Sequence, residues 1–396
     1  MTTTINNEHK KFNVPNLRFP EFQGEWEKCK LGDYGKVVTG NTPPTKDIEN
    51  YENGTYLWAS PADLGTIKSI TETKTMLSAQ GFSKTRTLPK GSVLVTCIGS
   101  TIGKTGMATK EMSTNQQINS IVVNDNNDNE FVYYAIQSAF PRYLSSIAVQ
   151  AVPIISKSAF ELLPNNRPYL QEQKKIGKFL SLLDERIATQ NKIIEDLKKL
   201  KSAIIEKEYS NKTKSFSRLG DFIEQISKRN KDRAIHNVLS VSNSQGFIQQ
   251  SEQFENRIVA SDDTSNYKIV ERNHFAFNPA RINVGSIARL ITFEKGIVSP
   301  MYICFRTKGS LLPKYLGYYF ESKQFFIEIQ KRLEGSVRQC LSFDGLCNIP
   351  LSIPTVEVQQ QIGKQLSTLV QKIKLETDFL ELLQKQKKFL LHQMFI

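Results

Sequence analysis

The chain has 396 residues, of which 39% are hydrophobic and 23% charged, a balance that excludes an intrinsically disordered protein. Lysine and arginine outnumber aspartate and glutamate by 52 to 39, and the formal charge of +13 favours a polyanionic partner. No apolar run approaches the ~20 residues of a membrane span, so we expect no membrane contact. The five cysteines are scattered and the N-terminus is polar, which predicts a cytoplasmic protein with reduced thiols.

The first part of the chain, residues 1–167, contains short β-like runs such as 92–98 and 118–123, separated by Gly, Pro and Asn. We predict a mixed α+β domain with a twisted sheet. A second globular domain of the same kind is predicted for residues 213–353, with β-like runs at 269–277 and 297–305. The predicted fold class is therefore α+β, with two globular domains.

Each globular domain is followed by a long helical segment, at residues 168–212 and 354–396, and these segments repeat at an offset of 186 residues. A proline begins each segment, and the apolar residues alternate in steps of four and three, which predicts a heptad seam. The first seam comprises Ile176, Leu180, Leu183, Ile187, Ile194, Leu197 and Ile204. The second comprises Ile362, Leu366, Leu369, Ile373, Leu380, Leu383 and Leu390.

Polar residues interrupt both seams at matching places, Gln190 and Lys201 in the first and Glu376 and Lys387 in the second. Matching interruptions favour two helices that pack on one another as a coiled coil. The alternative is two surface helices that pack on separate domains.

Short motifs repeat outside the helices as well. Leu31-Gly32-Asp33 recurs as Leu219-Gly220-Asp221, and Gly103 corresponds to Gly285. The aromatic segment 131–134 corresponds to 315–318, and each is expected to begin a short helix. The chain is thus predicted to be a tandem repeat of domain and helix.

The opening segment 14–22, Gly24-Glu25-Trp26 and Lys30-Leu31-Gly32-Asp33 resembles the start of a type I restriction–modification specificity subunit. The proline-led, glutamine-rich starts of the two helices, 168–177 and 354–363, are similar to the two central helical regions of that family. The resemblance covers nearly the whole chain, although the globular domains match only in outline.

The resemblance implies two target-recognition domains, each reading one half of a split site in double-stranded DNA, with the helices packed antiparallel as a spacer. It also implies two methyltransferase subunits that dock on the helices, and motor–nuclease subunits that join them. S-adenosylmethionine, ATP and Mg²⁺ would belong to those partners. This chain would carry no catalytic, cofactor or metal site, while the assembly would methylate adenine at N6 and cut DNA. A 42-residue helix spans about 60 Å, enough to separate two reading domains.

Both globular domains contain a basic block, at residues 68–110 and 279–323, in which cations greatly outnumber acids. Such blocks favour contact with DNA phosphates, and Arg, Asn and Gln side chains are suited to reading base edges. The DNA-contact candidates in the first domain are Thr42, Ser60, Lys84, Arg86, Lys104, Gln116 and Gln117. Those in the second are Arg229, Asn230, Arg281, Asn283, Arg289 and Arg338.

The sequence is also compatible with two other functions. Asp63, Glu72 and Lys74 follow the loose pattern of a metal-dependent nuclease, and the helices alone would suit a coiled-coil adaptor with no DNA role. ATP binding is disfavoured, because only three residues separate Gly99 from Gly103 where the phosphate-binding loop requires four. A tight turn is the better interpretation of that segment.

Overall fold

A computed structural model describes residues 13–65, 67–146, 154–210, 217–243, 245–250, 263–335 and 339–396. The chain forms two compact units, Met1–Asn191 with Asp378–Ile396, and Lys192–Thr377. The predicted domain boundaries at 167/168, 212/213 and 353/354 follow the helix ends instead, and they remain a prediction. No helix within the described ranges combines the length and the hydropathy needed to cross a membrane.

The described residues of unit 1 form three sheets. A five-stranded sheet has the order β2-β9-β6-β7-β4, a three-stranded sheet β5-β3-β8, and β1 pairs with β10. Pairing is antiparallel except between β3 and β8 and between β4 and β7. The strands are β1 (Glu27–Lys30), β2 (Gly35–Thr39), β3 (Tyr56–Ala59), β4 (Ser69–Ile70), β5 (Thr75–Leu77), β6 (Val93–Thr96), β7 (Thr105–Ala108), β8 (Ser113–Thr114), β9 (Ile118–Val123) and β10 (Pro164–Arg167).

The helices that begin in this unit are α1 (Ala79–Ser83), α2 (Asn129–Ser146), α3 (Lys157–Glu161) and α4 (Leu170–Tyr209). The segment 131–134 lies in α2, which has 18 residues and is therefore longer than the short helix expected. Its buried aromatic and aliphatic side chains form one core with Trp26 and with the facing turns of the long helices.

Unit 2 repeats this arrangement. Its strands are β11 (Ser217–Arg218), β12 (Ile223–Ile226), β13 (Val238–Ser242), β14 (Gly246–Gln249), β15 (Lys268–Glu271), β16 (Phe275–Phe277), β17 (Ile287–Arg289), β18 (Lys295–Val298), β19 (Ile303–Thr307) and β20 (Pro350–Leu351). Its helices are α5 (Pro313–Tyr319), α6 (Lys323–Gln330), α7 (Phe343–Cys347) and α8 (Val356–Gln393). The order β12-β19-β16-β17 matches β2-β9-β6-β7, and β13 pairs in parallel with β18 as β3 does with β8. The predicted pair of α+β domains with two long helices is confirmed.

Two of the predicted β-runs are each divided into two strands. The run 269–277 forms β15 and β16, with Asn273 between them at a positive φ of 70°. The run 297–305 forms β18 and β19, with Pro300 in the break. In both cases the strands join different sheets, so these segments are corners of the domain.

The repeated glycines and Leu-Gly-Asp motifs have clear structural reasons. Gly103 and Gly285 adopt positive φ values of 92° and 89° in the turns β6–β7 and β16–β17. In each motif the aspartate accepts a hydrogen bond from a backbone N–H three residues earlier, at 2.7 Å for Asp33 and 3.3 Å for Asp221. Each motif thereby forms a capped 3₁₀ turn beside its two-stranded ribbon.

The long helices pack antiparallel inside each unit. In unit 1, Asp184 forms an ion pair with Lys387 at 2.6 Å, whereas Arg186, further along α4, lies 5.3 Å from the ring of Phe379, which is earlier in α8. In unit 2, Ile205 near the end of α4 shares a core with residues near the start of α8.

The predicted seam coincides with the covered face of both helices. All fourteen seam positions are buried or half-buried, and those in unit 1 include fully buried Leu180. Several apolar side chains off the seam are exposed, among them Leu182 and Leu382, whereas off-seam Ile205 is buried. Burial agrees with the heptad pattern, and helix-on-helix packing at each of these positions stays a prediction.

The lysines that interrupt the seams contact tyrosines of the globular domains. The Lys387 ammonium lies 5.5 Å from the Tyr134 ring, and the Lys201 ammonium lies 5.8 Å from the Tyr318 ring. Lys201 also pairs with Glu321. The hydroxyl of Tyr134 donates to Asp184 at 2.6 Å, and burial with that carboxylate raises its pKa well above its usual value. The interruptions thus join helix to domain.

A buried glutamine in the first turn of α4 fastens that helix to α2. The Gln173 amide nitrogen donates to the Pro168 carbonyl at 3.0 Å and to Asn127 at 3.2 Å. Its oxygen accepts from the Asp128 backbone N–H at 3.1 Å, just before α2 begins. One side chain therefore satisfies polar groups of the helix and of the domain together.

Gln359 repeats this arrangement in unit 2. Its oxygen accepts from the Leu312 N–H at 2.8 Å, and its nitrogen donates to the carbonyls of Ser310 at 3.0 Å and Pro354 at 2.9 Å. Both glutamines are 1% exposed. The proline-and-glutamine motif is thus the joint between helix and domain.

Replacing either glutamine with leucine should lower the free energy of unfolding by about 1–3 kcal/mol, because buried N–H and C=O groups lose their partners. Gln173→Leu and Gln359→Leu would be compared by urea unfolding followed by circular dichroism. The exposed neighbours Gln171 and Gln360 provide matched controls, with changes expected within about 0.5 kcal/mol. Equal effects at buried and exposed glutamines would contradict the assignment.

Candidate nucleic-acid interface

The loops that carry the candidate residues of unit 1 emerge at one end of the five-stranded sheet. Strand β2 ends at Thr39 opposite Asn119, close to where β9 begins, and β6 ends at Thr96 opposite Ile118. Because these pairs are antiparallel, the connections after β2 and β6 and before β9 lie at the same end of the sheet. We call this end the unit 1 loop end, defined by residues 40–42, 84–86, 97–104 and 115–117.

Asn41 holds three of these loops together. Its backbone N–H donates to the Thr114 carbonyl at 2.9 Å, and its side-chain amide donates to the Lys84 carbonyl at 2.9 Å. Its amide oxygen accepts from the Arg86 N–H at 2.8 Å. A side chain on Gly40 would place its Cβ 2.2 Å from the Thr114 carbonyl oxygen, so the close approach requires glycine.

Four of the seven unit 1 candidates lie together on these loops. The Thr42 hydroxyl donates to the Gln116 side-chain oxygen at 2.5 Å, and Gln116 is exposed. Gln117 accepts at its side-chain oxygen from the Asn115 amide at 3.0 Å. The guanidinium of exposed Arg86 donates to the Thr39 carbonyl at 2.8 Å. The loop end therefore presents two fixed amides and one guanidinium.

Of the other three candidates, Lys84 and Lys104 also lie on the loop end, whereas Ser60 lies outside it. Lys84 donates to the Asn50 side chain at 2.9 Å and lies 3.8 Å from the Asp47 carboxylate, so its charge is held against the segment 47–50. The Ser60 hydroxyl donates to Asp63 at 2.7 Å as part of a capped turn. Lys104 is exposed and follows Gly103 in the loop end. A phosphate contact by exposed Lys104 stays a prediction.

The nuclease interpretation finds no support in the geometry of its acids. One oxygen of Asp63 accepts from Ser60, and the other accepts from the Lys74 N–H at 2.9 Å. Asp63 is therefore a turn-capping residue, while Glu72 is exposed. In the ranges that the structure describes, no group of three or more His, Cys, Asp or Glu residues could hold a metal ion.

In unit 2 the loop after β12 is strongly basic. Arg229 is exposed, and its guanidinium donates to the Asn266 side chain at 2.9 Å. An open groove of about 700 Å³ lies beside it. Its charged lining residues are Lys228, Arg229, Lys231, Asp232 and Lys295. Four cations against one acid make this groove suited to a polyanion.

Asn230 is fully buried and braces this loop. Its amide donates to the Ile235 carbonyl at 2.9 Å, and its oxygen accepts from the Ile235 N–H at 3.2 Å. Its backbone N–H donates to the Tyr267 carbonyl at 2.9 Å. A base contact by Asn230 therefore has no support from the geometry, and its role is to shape the loop that displays Arg229.

The remaining unit 2 candidates do not form one cluster. Arg281 is exposed and Asn283 half-buried in the turn between β16 and β17. Arg289 lies at the opposite end of β17, and its side chain lies beside Gly317. Burial lowers the pKa of its guanidinium. Arg338 lies outside the described residues.

Two parts of this interface were missed by the sequence reasoning. Asn41 organises the unit 1 loop end, and only its place directly after Gly40 at a strand end could have indicated it. Lys228 and Lys231 line the groove of unit 2, and the local run of cations around Arg229 was a usable signal. Each unit therefore carries polar or basic loops at the corresponding end of its own sheet.

Comparison with known proteins agrees with this arrangement. The sequence profile of the type I restriction modification DNA specificity domain matches residues 23–199 and, a second time, residues 211–385. The MjaVIII specificity subunit of Methanocaldococcus jannaschii is 24% identical over 415 residues, covering 94% of this chain and 92% of that protein. The MjaIX specificity subunit of the same organism is 27% identical over 242 residues, covering 59% of this chain and 56% of that protein.

Solved structures are similar in fold. The type I restriction–modification S subunit from M. genitalium aligns with a TM-score of 0.61 at 18% identity, covering 97% of this chain and 99% of that one. A chain from a study of complex assembly and conformational transition of a type I system aligns with a TM-score of 0.55 at 15% identity, covering 92% and 96%. With two profile matches spanning most of its length, and a fold repeated in its two units, the chain belongs to the family of type I restriction–modification DNA specificity subunits.

Proposed function

We propose that this chain reads a two-part DNA site, with each unit contacting one half-site, and that it performs no catalysis itself. The observation that carries the proposal is the repeated sheet that ends in loops rich in amides and cations, at Gln116 and Arg86 in unit 1 and at Arg229 and Arg281 in unit 2. Such side chains bind phosphates and base edges. The two loop sets differ in chemistry, so the half-sites are expected to differ.

The long helices supply the second part of the proposal, a docking surface for partner subunits. In unit 1, Leu182, Leu382 and Phe389 are 54%, 61% and 59% exposed, and in unit 2 Leu200 and Leu375 are 50% and 65% exposed. Large apolar side chains exposed on paired helices favour association with another protein. Two methyltransferase subunits, joined by motor–nuclease subunits, are the proposed partners, and S-adenosylmethionine, ATP and Mg²⁺ would be bound by them.

Co-expression with the neighbouring methyltransferase should produce N6-methyladenine at a split motif whose halves are separated by a fixed number of unspecified bases. Genome-wide mapping of N6-methyladenine, with and without this chain, measures the motif directly. Leu382→Asp should reduce methylation at every site, because it places a charge in the proposed docking surface. The control Lys157→Gln, at an exposed residue of α3, should not. A continuous motif, or methylation that does not depend on this chain, would contradict the proposal.

Arg229→Gln and Arg281→Gln should each weaken DNA binding. A variant that has lost one phosphate contact releases fewer counterions from the DNA when it binds. Each substitution should lower the slope of log affinity against log salt by about 1. Fluorescence anisotropy over a range of salt concentrations measures the slope, with Lys157→Gln as the control. Unchanged affinity and slope in both variants would favour the coiled-coil adaptor instead.

A further inference from the structure

We infer that Gln116, positioned by Thr42, reads an adenine through its major-groove edge, in only the half-site that unit 1 contacts. The inference deepens the proposed function and rests on it. It concerns a specificity-determining residue and its positioning residue, and it assigns one base to one side chain.

The loop that carries Gln116 is fixed on both sides. The Asn115 N–H donates to the Ala59 carbonyl at 2.9 Å, and the Asn115 side chain accepts from the Gln117 N–H at 3.0 Å. The Cys97 N–H donates to the Gln117 carbonyl at 2.8 Å. Asn115 is 7% exposed, whereas Gln116 beside it is exposed to solvent. An exposed side chain on a rigid turn can contact a base with little loss of conformational entropy.

The hydrogen-bonding capacity of Gln116 fits adenine. Its amide has two N–H donors and two oxygen lone pairs, and Thr42 uses one lone pair. One acceptor site and both donors remain. Adenine presents an N6–H donor and an N7 acceptor in the major groove, which is the complementary pair for a glutamine amide. The bond from Thr42 restricts rotation of the amide and so orients this edge.

The corresponding position of unit 2 lacks this chemistry. The pair Gly35 and Val123 in unit 1 corresponds to the pair Ile223 and Thr307 in unit 2. Counting back from Val123 and Thr307 by the same number of residues aligns Gln116 with Pro300. Thr42 aligns with Asn230, whose side chain is buried. The second half-site must therefore be read by other groups, and a change at Gln116 should affect one half-site alone.

The test maps N6-methyladenine in cells that express the methyltransferase with wild-type chain, Gln116→Ala or Gln116→Glu. In Gln116→Ala, discrimination at one adenine of one half-site should fall about 5- to 150-fold, the range typical of a bidentate base contact. In Gln116→Glu the same position should shift towards cytosine, because a carboxylate accepts from the cytosine N4 amino group. Gln80→Ala, at an exposed glutamine of α1, is the control and should leave the motif unchanged.

Thr42 is tested at the same position of the motif. Thr42→Val should partly weaken the preference for adenine at that position. Thr42→Ser, which keeps the hydroxyl, should retain the wild-type preference. A merely structural role for Thr42 would alter overall methylation without changing preference at one base.

Three results would overturn the inference. Gln116→Ala could leave every position as strict as in the wild type, relax a position that is not adenine, or weaken all positions equally as a phosphate contact would. Failure of the proposed function is distinguishable, because the wild-type chain itself would then give no split motif.

Discussion

The architecture depends on the joint between each long helix and the domain beside it. Gln173 and Gln359 are buried and satisfy backbone groups on both sides of that joint. A buried polar network is stabilising only when every member has a partner, so the geometry at the joint tolerates little variation. This fixes the direction in which each domain leaves its helix. It also explains why the motif recurs unchanged while the loops that face solvent differ.

Around this shared joint the two units have diverged in charge. In unit 1 the seam lysine Lys387 forms an ion pair with Asp184 on the opposite helix. In unit 2 the seam lysine Lys201 forms an ion pair with Glu321, which lies between α5 and α6. The position that corresponds to Asp184 is Val370, which is 40% exposed. Unit 1 also has an N-terminal arm, from which Arg18 forms an ion pair with nearly fully buried Glu172 at 2.7 Å. Similar folds are therefore held by different ionic contacts, as expected when copies of a domain evolve separately within one chain.

The sequence predicted the periodic features well and the local ones poorly. Heptad spacing agrees with the burial along both helices, because a seam imposes the same requirement on every turn. It could not show that 269–277 and 297–305 turn corners, since a short apolar run is compatible with one strand or two. Residue type predicts Asn230 as a base reader, yet its amide braces a loop, because residue type alone does not distinguish an exposed amide from a buried one. The loop contacts of Asn41 join segments far apart in sequence, and no local pattern records them.

The division of the chain between the two units has a consequence for the order in which the protein is made. Unit 2 is continuous, from Lys192 to Thr377, whereas the core of unit 1 includes Phe395, whose ring lies 5.4 Å from that of Phe131. A ribosome releases the residues that complete unit 1 only after all of unit 2 has emerged. The domain that is translated first is therefore the last whose core can close, and its apolar helix face stays uncovered until Phe395 has been synthesised.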